Sequence, residues 1–169
     1  LSLALDYAGR LRESIRGWQD TDYRWLMDFT EPTEHQDLRK AIAAVTDTYG
    51  PRYFAERAVA GEPTTELWRD LGEHGFIGIN IPEEYGGGGA GMVELTIVCE
   101  ETAARGCPLL LLLVSSAISA ELLTRYGSAE QRSEFLPRMA SGETKVVFAI
   151  TEPDAGSNSR QISTTAVRD

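Results

Sequence analysis

The residues best suited to chemistry form one run, Phe148-Ala149-Ile150-Thr151-Glu152-Pro153-Asp154-Ala155-Gly156-Ser157. Lys145 to Ile150 contains Val146, Val147, Phe148 and Ile150 and predicts a short strand. Its end is delivered into a loop where Pro153 fixes one φ and Gly156 frees another. Such a loop can turn backbone N–H groups and the Thr151 and Ser157 hydroxyls toward one polar ligand edge, with Phe148 and Ile150 as a flat apolar wall. A planar heterocycle with carbonyls, ring nitrogens and a phosphate tail suits that surface, which describes a flavin dinucleotide. The same residue types also build an ordinary strand-to-strand turn. On residue chemistry alone both readings stand.

Other reactive residue types point less far. The run Gly86-Gly87-Gly88-Gly89-Ala90-Gly91 lacks the Gly-Lys-Ser/Thr ending that places a lysine on phosphate. It also lacks the βαβ setting of a dinucleotide loop. It reads as a flexible connector whose glycines supply positive φ. His74 falls in the last turn of a predicted helix, where an imidazole commonly answers the helix dipole. Cys99 and Cys107, with only His35 and His74 elsewhere, lack the clustering a zinc site requires and read as small buried hydrophobes. Two such cysteines make no disulfide framework and suit a reducing cytoplasm.

The elements that would position the loop are mostly helical. Leu5, Ala8, Leu11 and Ile15 have helical spacing within 1–17. Met27-Asp28-Phe29 reads like a natural protein start. A helix after Thr33 carries a stripe of Leu38, Ala41, Ile42 and Val45, and a short polar helix is expected over Tyr53 to Val59. Thr64 is a candidate cap for a helix through Leu67, Trp68 and Leu71 that stops at Gly75. Phe76 to Ile81 reads as extended, Met92 to Arg105 as helical, and Pro108 to about Tyr126 as a central helix apolar on every side in its first half. Ser128 with Gln131 has capping-box spacing and starts a further helix through Phe135, Leu136 and Met139. Gln161 to Val167 alternates enough to predict a second strand. The expected fold class is mainly α, an amino-terminal helical bundle followed by one or two strands of a truncated β domain.

A net charge of −10 argues against non-specific nucleic-acid binding, which needs Lys and Arg on phosphates. The longest apolar run, Leu109 to Val114, is too short to span a bilayer, and the start lacks the basic region of a signal peptide. A soluble protein with no membrane and no nucleic-acid partner is expected.

Phe148 to Ser157 closely resembles the flavin-contacting signature of acyl-CoA dehydrogenases: an aromatic residue, then Thr-Glu-Pro, any residue, Ala-Gly-Ser. Leu71-Gly72-Glu73-His74-Gly75-Phe76-Ile77-Gly78 followed by Ile81-Pro82-Glu83-Glu84-Tyr85-Gly86-Gly87 is similar to that family's helix-to-loop passage. Tyr126-Gly127-Ser128-Ala129-Glu130-Gln131, with Phe135-Leu136-Pro137 and Ala140-Ser141-Gly142-Glu143, resembles its last amino-terminal helix. Met27-Asp28-Phe29 with Thr33-Glu34 is similar to its usual beginning. The four agree in order and spacing over about Met27 to Asp169.

The resemblance implies a protein of three parts, an amino-terminal helical domain (27–143), a middle β domain begun here (144–169) and a carboxy-terminal helical bundle. Residues 1–26 have no counterpart and are expected to be an appended or upstream-translated segment. It implies FAD between domains, a homo-oligomer when full length, an acyl-CoA substrate oxidised to the 2,3-enoyl-CoA, and electron-transfer flavoprotein as the electron acceptor. Phe148, Ile150 and Thr151 are expected at the isoalloxazine, Gly156 and Ser157 near the pyrophosphate, and Ser157 also near bound acyl-CoA. The base belongs to the carboxy-terminal bundle in most members, so no catalytic residue is assigned in this chain and the fragment alone is expected to be inactive. Asn158 stands where the family commonly has Asp. Rival readings are a flavoprotein of the same fold with oxidase, nitroalkane-oxidising or monooxygenase chemistry, and a non-catalytic helical module or gene remnant.

Overall fold

The structure, a computed structural model, describes residues 30–167. The helix expected within 1–17, the Met27 start and the 26/27 boundary lie outside the described residues. Chain contacts divide the protein into Leu1–Pro32 and Thr33–Asp169, and every element described below belongs to the second. In order these are α1 (Thr33–Thr46), α2 (Gly50–Ala60), α3 (Thr65–Glu73), a 3-10 turn (Glu83–Tyr85) and α4 (Met92–Ala104). A π-helical stretch (Leu112–Ser119) then runs directly into α5 (Ala120–Tyr126), followed by α6 (Ala129–Ala140) and a second 3-10 turn (Ser159–Gln161).

Helix boundaries fall where local chemistry puts them. Gly50, at φ 69°, turns the chain and Pro51 occupies the first turn of α2, where its missing N–H costs nothing. Gly75, at φ 78°, ends α3 with two bonds that satisfy otherwise orphaned carbonyls, Phe76 N–H to Leu71 O at 2.9 Å and Gly75 N–H to Gly72 O at 2.9 Å. Ser128 caps α6 by accepting from the Gln131 N–H at 3.2 Å while its own N–H donates to Gln131 Oε1 at 2.8 Å. Thr64 precedes α3, but its side chain makes no capping bond.

One core joins α1, α3 and α4 around Ile42, Leu67, Leu71, Leu95, Val98 and Leu112, all at most 1% exposed. The α1 stripe differs from the expected one: Ala41 faces solvent, and Ala43 and Thr46 are buried beside Ile42. Thr46 tolerates burial because its hydroxyl donates to Ile42 O at 2.9 Å. Above this core Arg39 bridges α1 to α4 through Glu100 at 2.7 Å and Glu101 at 3.0 Å. A second cluster packs Leu136, Met139 and Ala140 of α6 against Ile81 and Ala120.

Two expectations about the middle of the chain are corrected. Phe76 to Ile81 is a chain of turns, not an extended segment, and it buries Phe76, Ile77, Ile79 and Ile81. The glycine run is no loose connector, because it pairs with those turns: Gly88 N–H donates to Gly78 O at 3.0 Å, Gly89 N–H to Ile81 O at 2.9 Å, and Ala90 N–H to Ile79 O at 2.9 Å. A Cβ on Gly87 would lie 2.1 Å from Ile81 O. Close backbone approach, as much as positive φ, is what demands glycine there.

The apolar segment after Gly106 also departs from expectation. Leu112 is fully buried, but Leu110 is 71% and Leu113 48% exposed. The polar residues Ser115, Ser116 and Ser119 are buried instead. The wide π turns send Ala120 N–H back to Ser115 O. The Asn80 amide donates to Ser116 O at 2.9 Å, pinning the stretch to the 76–81 turns. The Asn80 Oδ1 is buried without a hydrogen-bond partner among the described residues.

The helical architecture stands, but the two strands do not form. Residues 145–150 and 162–167 belong to no helix or strand, and the one pairing in this region is an isolated bridge between Glu152 and Ala155. A strand is held by hydrogen bonds to a neighbouring strand, and the described residues offer none. Ser159–Gln161 is a 3-10 turn, so the alternation read over Gln161 to Val167 has no ladder behind it.

Candidate functional site

The loop is launched from the end of α6 by a fixed junction. Gly142, at φ 77°, reverses the chain after the helix, and Thr144 N–H donates back to Arg138 O at 2.9 Å. The buried Trp68 indole of α3 donates to Gly142 O at 2.9 Å. Lys145 Nζ lies 5.5 Å from the centre of the same ring. Gly72 of α3 is needed at this contact, since a Cβ there would sit 2.3 Å from Ser141 O. Val146 then packs partly against the α6 cluster. The entry to the loop is therefore set by the helices.

The loop itself is a tight turn. Glu152 N–H donates to Ala155 O at 3.2 Å and Ala155 N–H donates to Glu152 O at 3.1 Å, with Pro153 and Asp154 at the tip. Ala155 is 1% exposed. The Glu152 carboxylate reaches across to the returning chain and accepts from Ser163 N–H at 2.9 Å, Ser163 Oγ–H at 2.9 Å and Thr164 N–H at 2.8 Å. Hydrogen bonding from Thr164 foremost, and from Ser163, holds its pKa down to about 2.

The expected site residues sit together on this turn and its approach. Phe148 is 39% and Ile150 47% exposed, large apolar surfaces left uncovered. Thr151, Gly156 and Ser157 are exposed, and no described residue hydrogen-bonds the Thr151 or Ser157 hydroxyl. A Cβ built on Gly156 meets nothing within 4 Å. Uncovered apolar side chains beside unused hydroxyls and an open glycine match what a flavin with a phosphate tail requires, so the residues present fit that group. Residue types within the run do not show what Glu152 binds. Its partners lie 11 and 12 residues further on and leave no local signal.

The remaining reactive residues take structural roles. The His74 ring pairs with Asp70 O through Nδ1 at 2.7 Å, at the helix end where a dipole partner was expected. Burial pushes both cysteine thiols up, which leaves them poor nucleophiles. His35 Nε2 meets Glu94 Oε1 at 2.9 Å and ties α1 to α4. Among the described residues no cluster of His, Cys, Asp and Glu could hold a metal, and no helix is long and apolar enough to cross a membrane.

Residues 32–143, more than half of the chain, match the family profile described as "Acyl-CoA dehydrogenase, N-terminal domain". Acyl-CoA dehydrogenase FadE12 of Mycobacterium tuberculosis is 52% identical over 141 residues, covering 83% of this chain and 36% of that protein. The crystal structure of an acyl-CoA dehydrogenase from Geobacillus kaustophilus is similar with a TM-score of 0.76 at 29% identity, over 85% of this chain and 38% of that one. An acyl-CoA dehydrogenase from Bacillus anthracis, complexed with FAD, is similar with a TM-score of 0.61 at 26% identity, over 77% of this chain and 22% of that one. The chain thus spans well under half the length of these relatives. With its helices in that arrangement and residues 32–143 matching the profile, the chain belongs to the acyl-CoA dehydrogenase family through the family's N-terminal domain.

Proposed function

We propose that this chain contributes the first wall of an FAD site in a protein that oxidises an acyl-CoA thioester to its 2,3-enoyl-CoA. The observation that carries the reading is the turn at Thr151–Ser157, which leaves hydroxyls, an open glycine and the Phe148 and Ile150 side chains facing outward. The FAD-complexed relative supports the choice of flavin. Bound there, FAD would supply the acceptor for a hydride leaving the substrate's β-carbon. Phe148, Ile150 and Thr151 would hold the isoalloxazine, Gly156 and Ser157 the pyrophosphate, and Ser157 would also approach the acyl-CoA.

No base is assigned in this loop. A general base must accept a proton near the working pH. Glu152, held near 2 with its oxygens engaged by three donors, is a poor acceptor. Proton abstraction is assigned, on the family reading, to the carboxy-terminal bundle, and the domains are read as 27–143 helical with 144–169 opening a β domain. Electron-transfer flavoprotein as acceptor, a homo-oligomeric state and a cytoplasmic setting follow from the family reading and from the two free thiols.

Purified residues 1–169 given FAD and a panel of acyl-CoA thioesters are expected to show little or no flavin bleaching, since base, flavin and Cα–Cβ bond must be aligned together. Robust turnover by this chain would refute the division of labour.

A further inference from the structure

The flavin reading uses Thr151, Gly156 and Ser157 but gives no task to Glu152, the residue between them whose side chain makes the most bonds. We propose that Glu152 is a positioning residue: its carboxylate clamps Ser163 and Thr164, and so holds the turn that carries Thr151 and Ser157 in its ligand-facing shape. This inference rests on the proposed FAD site.

Three donors converge on one carboxylate, two backbone N–H groups and one hydroxyl, all at 2.8–2.9 Å. The backbone of Glu152 is fixed as well, through both bonds to Ala155. One residue therefore joins the two arms of the loop, and apart from it the return path from Asn158 is ordered by a single 3-10 turn. If the clamp were absent, the Ser163 and Thr164 donors would need other acceptors. Both residues are exposed, so water would supply them, and the returning chain would no longer be tied to the turn that carries Thr151 and Ser157. The turn would then hold the surface proposed for the ligand less firmly.

Charge and geometry both matter. A carboxylate offers acceptor sites on two oxygens, and here Oε2 takes both Ser163 donors while Oε1 takes Thr164. A glutamine has one acceptor oxygen, and its NH2 group would confront one of these donors. Glu152→Gln is thus nearly isosteric yet unable to hold both arms.

Amide exchange in residues 1–169 reads the clamp without any cofactor. In Glu152→Gln and Glu152→Ala the Ser163 and Thr164 amides are expected to exchange about tenfold faster, as loss of charge-assisted bonds implies. Glu143→Gln, which breaks an exposed pair with Arg138 outside the turn, should leave them unchanged. In the protein as expressed from its gene, Glu152→Gln is expected to weaken FAD binding about tenfold and to alter the visible band shape of bound flavin. Unchanged exchange in the variants overturns the clamp. Faster exchange with unchanged FAD affinity and spectrum overturns the positioning role. Indifference of the unaltered protein to FAD overturns the proposed function and the ligand half of this inference, and exchange alone then decides the clamp.

Discussion

Glu152 illustrates how a half-buried residue can be specialised by its neighbours. Its carboxylate is solvated, yet bonds from Thr164 and Ser163 depress its pKa to about 2, below the usual carboxylate range. A depressed value in the folded state means a stabilising contribution fully present above the unfolded pKa, near about 4.3, and lost as pH falls toward 2. Urea unfolding of the chain and of Glu152→Gln at several pH values is expected to show a constant difference from pH 5 to 8. The difference should narrow by pH 3. A gap that stays the same at pH 3 would mean the carboxylate is not held in this way. The loop's turn chemistry was legible in Pro153 and Gly156, whereas the reach of Glu152 to Ser163 was not, because it depends on how the chain returns.

At the scale of elements, the helices were readable and the connections were not. Apolar spacing in α3 and the capping pair Ser128 and Gln131 in α6 act within a few residues, so sequence exposes them. The glycine run depends on a partner: its backbone is laid against Gly78, Ile79 and Ile81. Two alanine substitutions separate the two uses of glycine. Gly61, at φ 67° with nothing within 4 Å of a Cβ, ends α2. Gly61→Ala is expected to cost about 1 kcal/mol, the strain of a left-handed backbone. Gly87→Ala places a Cβ 2.1 Å from Ile81 O and is expected to cost about 3 kcal/mol or more, since the backbone must move. Denaturant melts of both variants test the order, and equal costs would contradict the close approach at Gly87.

At the scale of the molecule, the described residues leave Leu110, Leu113 and Tyr126 outside the core, at 71%, 48% and 79% exposure. Exposed apolar surface of this kind promotes association. Residues 1–169 are expected to self-associate, and Leu110→Lys with Leu113→Lys should shift sedimentation toward monomer while far-UV circular dichroism stays the same. A monomeric, unchanged parent chain would contradict this. By contrast Leu71→Ala, at 0% exposure, belongs to the core, where such truncations cost about 2–5 kcal/mol.

Taken alone, the sequence determined the helical class and most helix limits, because periodicity and caps act over short distances, and it offered the run 148–157 as the candidate for chemistry. Tertiary structure decided which leucines of 109–114 are buried, why Gly87 must lack a side chain, where Asn80 pins the π stretch and what Glu152 holds. It also decided that 145–150 and 162–167 carry no ladder. Each of these is set by what lies opposite in space, and neither residue type nor spacing along the chain records that.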